Sequence, residues 1–216
     1  MTVYERGKLN RVRVGTRAAY DQEAIFKILD AGLVAHVGFS DHDRPVVIPM
    51  IYGRIGEQVY LHGAKAARFA KVLGPGVPIC MTVTLLDGIV AGRSAFHSSM
   101  NYRSAVLHGR AALVTDVGER KAALEAITNH LMPGRWAEAR PMTEKELNAT
   151  AVLAFTIEEA SAKTRSGPPN DDGEDYQLPI WGGVVPITTV FGAPEDDGVL
   201  APGADLPESI LKIIST

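Results

Sequence analysis

Alternating apolar and polar positions predict a chain built mainly from strands. The clearest alternation spans residues 79–85, where apolar side chains share one face and Cys80 and Thr82 lie on the other. Turn-forming residues at 40–44 and at Asp87-Gly88 predict tight connections between strands. Shorter apolar runs predict further strands at residues 33–39, 45–52, 58–62, 104–114 and 152–157.

Helical spacing and capping residues predict only a few helices between these strands. Asp21 is a suitable N-cap for the first helix, and Asp116 with Glu119 and Thr143 with Glu146 form capping patterns before two others. The predicted helices lie at residues 21–31, 64–73, 116–131, in a short stretch after 143, and at 210–214.

This order of elements predicts a mainly β fold with peripheral helices (α+β), built on an antiparallel sheet or small barrel rather than a doubly wound α/β sheet. The composition agrees, since hydrophobic residues make up 46% and charged residues 22% of the 216 positions, as in globular proteins. The 21 glycines and 13 prolines exceed the usual share and favour many turns.

Charge and turn composition divide the chain into four parts. Residues 1–20 form a basic N-terminal arm and residues 21–165 the main domain, while 166–177 are expected to be a flexible acidic loop and 178–216 a C-terminal extension that packs on the barrel. The net charge is −3, and the acidic excess lies after residue 165. A generic nucleic-acid binder would instead carry a strong basic excess, so no nucleic-acid partner is expected.

Cysteine content and hydropathy predict a cytoplasmic protein. Cys80 is the single cysteine, which excludes an intramolecular disulfide framework and a multi-cysteine zinc site. No apolar run approaches the ~18 residues of a membrane helix, and the first 15 residues are too rich in charge for a signal peptide. We therefore expect no membrane association.

The common catalytic motifs are absent from the sequence: it contains no dinucleotide fingerprint, phosphate-binding loop, zinc protease motif or serine nucleophile motif. The six histidines show no metal-ligand spacing, so no metal site is predicted. Cys80 lies in a predicted strand, where a buried thiol that acts as a small hydrophobic group is the expected role. No catalytic residue can be assigned.

Residues 60–71 form the first candidate site. A predicted strand delivers His62 and Gly63 to the start of a basic helix, in which Lys65, Arg68 and Lys71 would share one face. Free backbone N–H groups at a helix start attract anions, so a phosphate fits this turn. A solvated basic face explains the same spacing.

Residues 93–110 form the second candidate site, a loop rich in hydroxyl and amide groups between two apolar strands. Such a loop can bind a planar heteroaromatic ligand, although a strand connection whose side chains satisfy each other is an equal alternative. Trp181, beside two glycines, either stacks on a ring or fills the core, and the core is the better expectation.

Taken in order, these segments resemble the pyridoxamine 5′-phosphate oxidase-like proteins of the flavin-binding split-barrel superfamily. The resemblance covers about residues 8–190 and depends on the ordered set rather than on one motif. The matching segments are the lead-in Arg11 to Thr16, the strand Arg44 to Met50, the turn Leu61 to Arg68, Ser94-Ala95-Phe96-His97, Asn101-Tyr102-Arg103-Ser104 with Gly109-Arg110, and Pro179 to Val184.

The resemblance implies a split β-barrel with FMN bound at the interface of a homodimer. It implies that Ile48, Pro49, Met50 and Ile51 face the isoalloxazine ring, that His62, Gly63, Lys65 and Arg68 hold the phosphate, that Ser104 reaches the ring edge and that Trp181 closes the pocket. Thr82, Tyr102 and Arg103 complete the predicted cofactor-binding set. The family's Ser-Arg-Lys in the phosphate helix is here Ala67-Arg68-Phe69, which lacks a hydroxyl and a cation.

The leading functional prediction is therefore an FMN-dependent oxidoreductase that acts on a small molecule. The alternative is a non-catalytic flavin- or haem-binding protein on the same fold, in which His62, His97 or His108 would be an axial ligand. A third interpretation is an interaction module whose basic arm contacts an acidic partner.

Overall fold

The strands dominate the architecture, as the alternation predicts. A computed structural model describes residues 2–215. It contains eight strands, namely β1 (Ala18–Ala19), β2 (Val34–Asp41), β3 (Arg44–Ile55), β4 (Gln58–Ala64), β5 (Pro75–Ala91), β6 (Ser99–Leu113), β7 (Thr150–Arg165) and β8 (Gly183–Pro186). The helices are α1 (Gln22–Ala31), α2 (Arg68–Leu73), α3 (Val117–Leu131), α4 (Arg135–Glu138), α5 (Glu144–Ala149) and α6 (Glu208–Ile214).

The strands form one sheet that combines pairs of consecutive strands with pairs that are distant in sequence. The hydrogen-bonded order is β1-β7-β4-β3-β2-β5-β6, with β8 paired to β5, and β6 also pairs with β7. The β2–β3 and β3–β4 pairs are antiparallel hairpins, and β4 pairs antiparallel with β7, so that Leu61 lies opposite Leu153 and His62 opposite Val152. The predicted mainly β fold with few helices is confirmed.

Helix caps confirm three of the sequence patterns. The Asp21 side chain accepts a hydrogen bond from Ala24 N at the start of α1, and the Asp116 side chain accepts one from Glu119 N at the start of α3. Thr143 and Glu146 form a complete capping box before α5. Each cap satisfies backbone N–H groups that the first turn of a helix leaves free.

The predicted tight turn at Asp87-Gly88 is wrong, because β5 runs through both residues to Ala91. Gly88 pairs with Pro186 of β8, and a Cβ at Gly88 would lie 3.0 Å from Val185 O. The glycine therefore permits the close approach of a neighbouring strand rather than a turn. The Asp87 carboxylate accepts hydrogen bonds from the Arg103 guanidinium, and the Asp87 carbonyl oxygen accepts one from Ile187 N.

Two strands are longer than the sequence predicts. Strand β6 begins at Ser99 instead of 104, and β7 continues to Arg165 instead of ending at 157. Both extensions carry polar and charged side chains, which hide a strand from hydropathy patterns. Helix α4 and the short strands β1 and β8 were not predicted from the sequence.

The chain divides into two compact units. One contains residues 1–32, 80–108 and 158–188, and the other contains residues 33–79, 109–157 and 189–216, so β5, β6 and β7 each contribute to both. In the second unit α3 packs on the sheet through a buried cluster whose members are Tyr60, Val114, Ala123, Leu124, Ile127, Leu147 and Val152. Within residues 2–215, no helix combines the length and the hydropathy needed to span a membrane.

Helix α3 packs directly on β3 at Gly53, which is buried. A Cβ added there would lie 2.5 Å from Ile127 N and 2.7 Å from Ala126 C, both backbone atoms of α3. A helix backbone cannot rotate away from such a contact as a side chain can. The absence of a side chain at residue 53 therefore sets the distance between α3 and β3.

We expect Gly53→Ala to destabilise the protein by roughly 1–3 kcal/mol, since α3 must shift to accept the methyl group. The measurement is the midpoint of urea unfolding followed by circular dichroism. Gly15→Ala is the matched control, because no atom lies within 4 Å of a Cβ at that residue. Equal midpoints for the two variants would contradict the packing argument.

Candidate functional site

The strand-to-helix turn predicted to hold a phosphate is present, but its helix is shorter than expected. Ala64 still belongs to β4, and α2 begins only at Arg68, with Ala67 as an N-cap that offers no side-chain hydrogen bond. Lys65 precedes the helix, and its N–H donates to Ala149 O at 2.8 Å. The prediction that three cations share one helical face is therefore wrong.

Phe69 explains the departure from the family's phosphate helix. Its ring is buried, and a Cβ added at Gly63 would lie 2.6 Å from two of its ring atoms. The aromatic side chain thus packs directly against Gly63, in the space beside the turn. Residue 69 contributes to the core instead of offering a cation to a ligand.

Arg68 and Lys65 are both exposed cations of this turn. The Arg68 side chain is 64% exposed, and its Nε lies 3.6 Å from Asp41 Oδ2. An exposed ion pair of this length is weak, because water screens both charges. The guanidinium can therefore leave Asp41 for a stronger anion such as a phosphate.

His62 lines a cavity with a volume of about 850 Å³. Leu124, Trp136 and Met142 supply apolar parts of its wall. The His62 Nδ1 atom is buried and has no hydrogen-bond partner among residues 2–215. Burial lowers the pKa of His62, so its imidazole is neutral and keeps a lone pair for a ligand.

The residues predicted to face the isoalloxazine ring lie on β3. Ile48 pairs with Val37 of β2, Pro49 with His36 and Met50 with Ala35. Pro49 is exposed, while Ile48, Met50 and Ile51 are half-buried. These side chains and the His62 turn belong to the same unit, the one that contains residues 33–79.

The predicted residues of the other unit have internal partners. The Arg103 guanidinium donates to both carboxylate oxygens of Asp87, with Nη2 2.7 Å from Oδ1. The Ser104 hydroxyl donates to Lys163 O at 3.3 Å, and Lys163 Nζ lies 5.5 Å from the centre of the Tyr102 ring. Arg103 and Ser104 therefore both hydrogen-bond to other protein groups, and both lie on β6 rather than in a loop.

Thr82 and Cys80 are half-buried, whereas Trp181 is exposed. Thr82 lies on β5. Burial raises the pKa of the Cys80 thiol, and the Sγ atom lies 4.0 Å from His108 Nε2, which agrees with an unreactive cysteine. The expectation that Trp181 fills the core is wrong, because the residue is 66% exposed and lies beside Gly183. An exposed indole is free to stack on a ligand.

An ion pair that the sequence does not reveal fixes the loop before β6. Arg93 Nη1 lies 2.9 Å from Asp171 Oδ2, the Asp171 side chain is fully buried, and Arg93 N donates to Asp171 Oδ1 at 2.8 Å. Burial alone would raise the pKa of Asp171, but these hydrogen bonds hold it below its usual value. The two residues are 78 positions apart, so no local pattern could link them.

Next to this pair, one imidazole and two carboxylates come together. The potential ligand atoms of His97, Asp172 and Asp175 all lie within 4.8 Å of one another, and His97 Nε2 is 3.3 Å from Asp172 Oδ2. This grouping arises from tertiary structure and has no sequence spacing that could predict it. Asp172 is 83% exposed.

Comparison with known proteins identifies the family. Residues 21–164, about two thirds of the chain, match the model of a family described as pyridoxamine 5′-phosphate oxidase. The chain belongs to this family. The resemblance stated from the sequence is thereby confirmed. No curated protein matches the chain.

Two solved structures are similar to this chain over nearly its whole length. The flavocytochrome Anf3 from Azotobacter vinelandii is 44% identical, with 96% of this chain and 97% of that chain covered and a TM-score of 0.90. The FAD and heme binding protein from Mycobacterium smegmatis is 38% identical, with 91% and 97% covered and a TM-score of 0.86. These matches confirm the split-barrel fold.

We expect Asp171→Asn to destabilise the protein more at pH 7 than at pH 3. The folded pKa of Asp171 lies below the unfolded value of about 3.9. The ionised carboxylate therefore stabilises the fold fully above about pH 3.9, and this stabilisation is lost as the pH falls through the folded pKa. Thermal unfolding of wild type and variant at both pH values measures the difference. Asp172→Asn, at an exposed carboxylate, is the control. A gap of equal size at pH 3 and pH 7 would show that the charge contributes nothing.

Proposed function

We propose that this chain is a flavin-binding redox protein that also binds haem, with His62 as the residue that would bind its iron. The observation that carries the proposal is the neutral, half-buried imidazole of His62 on the wall of a cavity of about 850 Å³. Two relatives support it, because one is described as a flavocytochrome and the other as binding FAD and heme.

The residues around His62 fit a haem. Haem sites are apolar pockets with a protein ligand to the iron, and this cavity presents Leu124, Trp136 and Met142 beside a neutral imidazole. A metal ligand must be deprotonated, which the lowered pKa of His62 ensures near neutral pH. The unpartnered Nδ1 means that the imidazole is not already committed to another residue among 2–215.

The charges at the cavity suit a ligand that carries carboxylates. Lys121 and Arg140 line it together with a single acid, Glu125. Arg140 is already paired with Glu146, whereas Lys121 has no ion pair with any residue of the described chain. Lys121 is therefore the cation that is free to meet a haem carboxylate.

Of the three histidines suggested as axial ligands, His62 has the most suitable surroundings. His97 faces Asp172 and lines a cavity of only about 230 Å³. His108 lies beside Cys80 and lines none of the larger cavities described. A neutral His62 is also a poor partner for a phosphate, which leaves Gly63, Lys65 and Arg68 to hold the flavin phosphate.

We propose FAD as the flavin, in place of the FMN predicted from the sequence. The support is the relative described as binding FAD, which is 38% identical, together with the loss of a hydroxyl and a cation at residues 67 and 69. A weaker single-phosphate site favours a cofactor with additional contacts. The predicted homodimer and small-molecule substrate remain parts of the proposal.

When bound, a flavin exchanges electrons singly or in pairs and a haem exchanges them singly, so the two together connect a two-electron donor to a one-electron acceptor. The chain's own residues bind and orient these groups. His62 would offer a lone pair to the iron, the apolar wall would exclude water, and Arg68 would neutralise phosphate charge. None of the described side chains has to act as an acid or base in this role.

We expect His62→Ala to remove the Soret band of the reconstituted protein while the flavin absorption remains. The reason is that the variant loses the iron ligand but keeps Lys65 and Arg68. The measurement is the visible spectrum after haem and FAD are added and the excess is removed by gel filtration. His36→Ala, at an exposed histidine of β2, is the control. A His62→Ala protein with an unchanged Soret band would rule out His62 as the ligand.

We expect Arg68→Ala to weaken FAD binding about tenfold or more, because a charge-assisted phosphate contact is lost. Lys27→Ala, on α1, removes an equal charge elsewhere and should leave the affinity unchanged. Fluorescence quenching of added FAD and of added FMN gives both affinities. Tighter binding of FMN than of FAD would return the assignment to FMN, and equal affinities of the two variants would exclude Arg68 from the site.

A further inference from the structure

Arg165, the last residue of β7, is a buried cation that has no acidic partner in the described part of the chain. The residue is only 8% exposed, and its guanidinium donates to Asn101 Oδ1 and to the carbonyl oxygens of Gly167 and Pro168. All three acceptors are neutral. No ion pair within residues 2–215 includes Arg165. Buried charges in proteins are usually paired, so this one requires an explanation.

A second cation lines the same cavity. Arg17 and Arg165 both border a space of about 230 Å³ in the unit that contains residues 1–32. The Arg17 side chain has neither an ion pair nor a hydrogen bond to any other described residue. Two guanidinium groups around one small cavity repel each other unless an anion lies between them.

The nearby carboxylates do not neutralise these two arginines. Asp171 is paired with Arg93, and Asp172 faces His97 Nε2 and is largely exposed to water. Two neutral donors complete the wall, the Ser99 hydroxyl and the Asn170 amide. The Ser98 hydroxyl also borders the cavity but already donates to Ser94 O. Arg17, Ser99 and Asn170, the polar side chains of this lining without a partner among residues 2–215, can therefore each donate a hydrogen bond to an anion.

We propose that this cavity binds the phosphate group of a small-molecule ligand, with Arg17 and Arg165 as its charged contacts and Ser99 and Asn170 as neutral donors. A phosphate offers several acceptor oxygens that donors can reach from different directions, and arginine is the side chain best suited to it. The volume far exceeds the ~10–15 Å³ that a single water needs. None of these residues belongs to the His62 cavity or to the turn assigned to the flavin phosphate, so the site is assigned to a separate ligand.

The test is isothermal titration of the purified full-length protein with inorganic phosphate at constant ionic strength, with chloride as the comparison anion. We expect phosphate to bind, chloride to give no signal, and Arg17→Ala to bind phosphate about tenfold more weakly or worse, as the loss of a charge-assisted contact requires. Arg13→Ala removes the same charge from the same arm outside this cavity and should bind like the wild type.

Ser99→Ala provides a second variant that leaves both cations in place. It should weaken phosphate binding severalfold, because one hydroxyl donor is lost. Wild-type affinity in both Arg17→Ala and Ser99→Ala, or equal responses to phosphate and chloride, would overturn the site. The flavin and haem absorbance of the variants is measured on the same samples and should not change, which separates this result from the fate of His62.

The last comparison is between FAD-loaded and FAD-free protein. Equal phosphate affinity in the two forms is the expected result for a separate ligand. Loss of phosphate binding on FAD loading would overturn that assignment and show that the cavity receives the flavin's own phosphate.

Discussion

The direct packing of α3 on β3 is the contact on which the candidate haem cavity depends. Gly53 brings the helix backbone to the strand, and Gly53 lies opposite Tyr60 of β4, the strand that carries His62. Helix α3 also supplies Leu124 to the buried cluster and Leu124, Glu125 and Thr128 to the cavity wall. A side chain at residue 53 would therefore move one wall of the cavity with the helix.

Alternation and capping residues were enough to predict most of the fold. Asp21, Asp116 and Thr143 begin their helices because a short polar side chain satisfies free N–H groups locally, and local causes can be read from sequence. Asp87-Gly88 predicted a turn that is not formed. The glycine instead permits the close approach of β8, which lies about a hundred residues further along the chain. The missed parts of β6 and β7 carry many polar and charged side chains, which hide a strand from hydropathy patterns.

The candidate site was predicted less completely than the fold. His62, Gly63 and Arg68 could be identified because they are consecutive or nearly so in a strand-to-helix turn. The cavity beside His62 could not, since Trp136 and Met142 reach it from α4 and the segment that follows, and no pattern connects them to β4. The arginines show the same limit. Arg93 and Arg103 have acidic partners, one buried and one bound through two carboxylate oxygens, and both support the structure. Arg17 and Arg165 have no acidic partner among residues 2–215, and the sequence alone does not separate the two kinds.

The contact between Gly63 and Phe69 also has a consequence for how this sequence can change over time. Any side chain at residue 63 collides with the ring, while a small or charged residue at 69 leaves a void beside the turn. The two positions are therefore expected to covary: glycine at 63 accompanies an aromatic residue at 69, and a cation at 69 requires a bulkier partner at 63. Ligand preference in this branch of the family would then change by paired substitutions, through intermediates that are less stable than either end point.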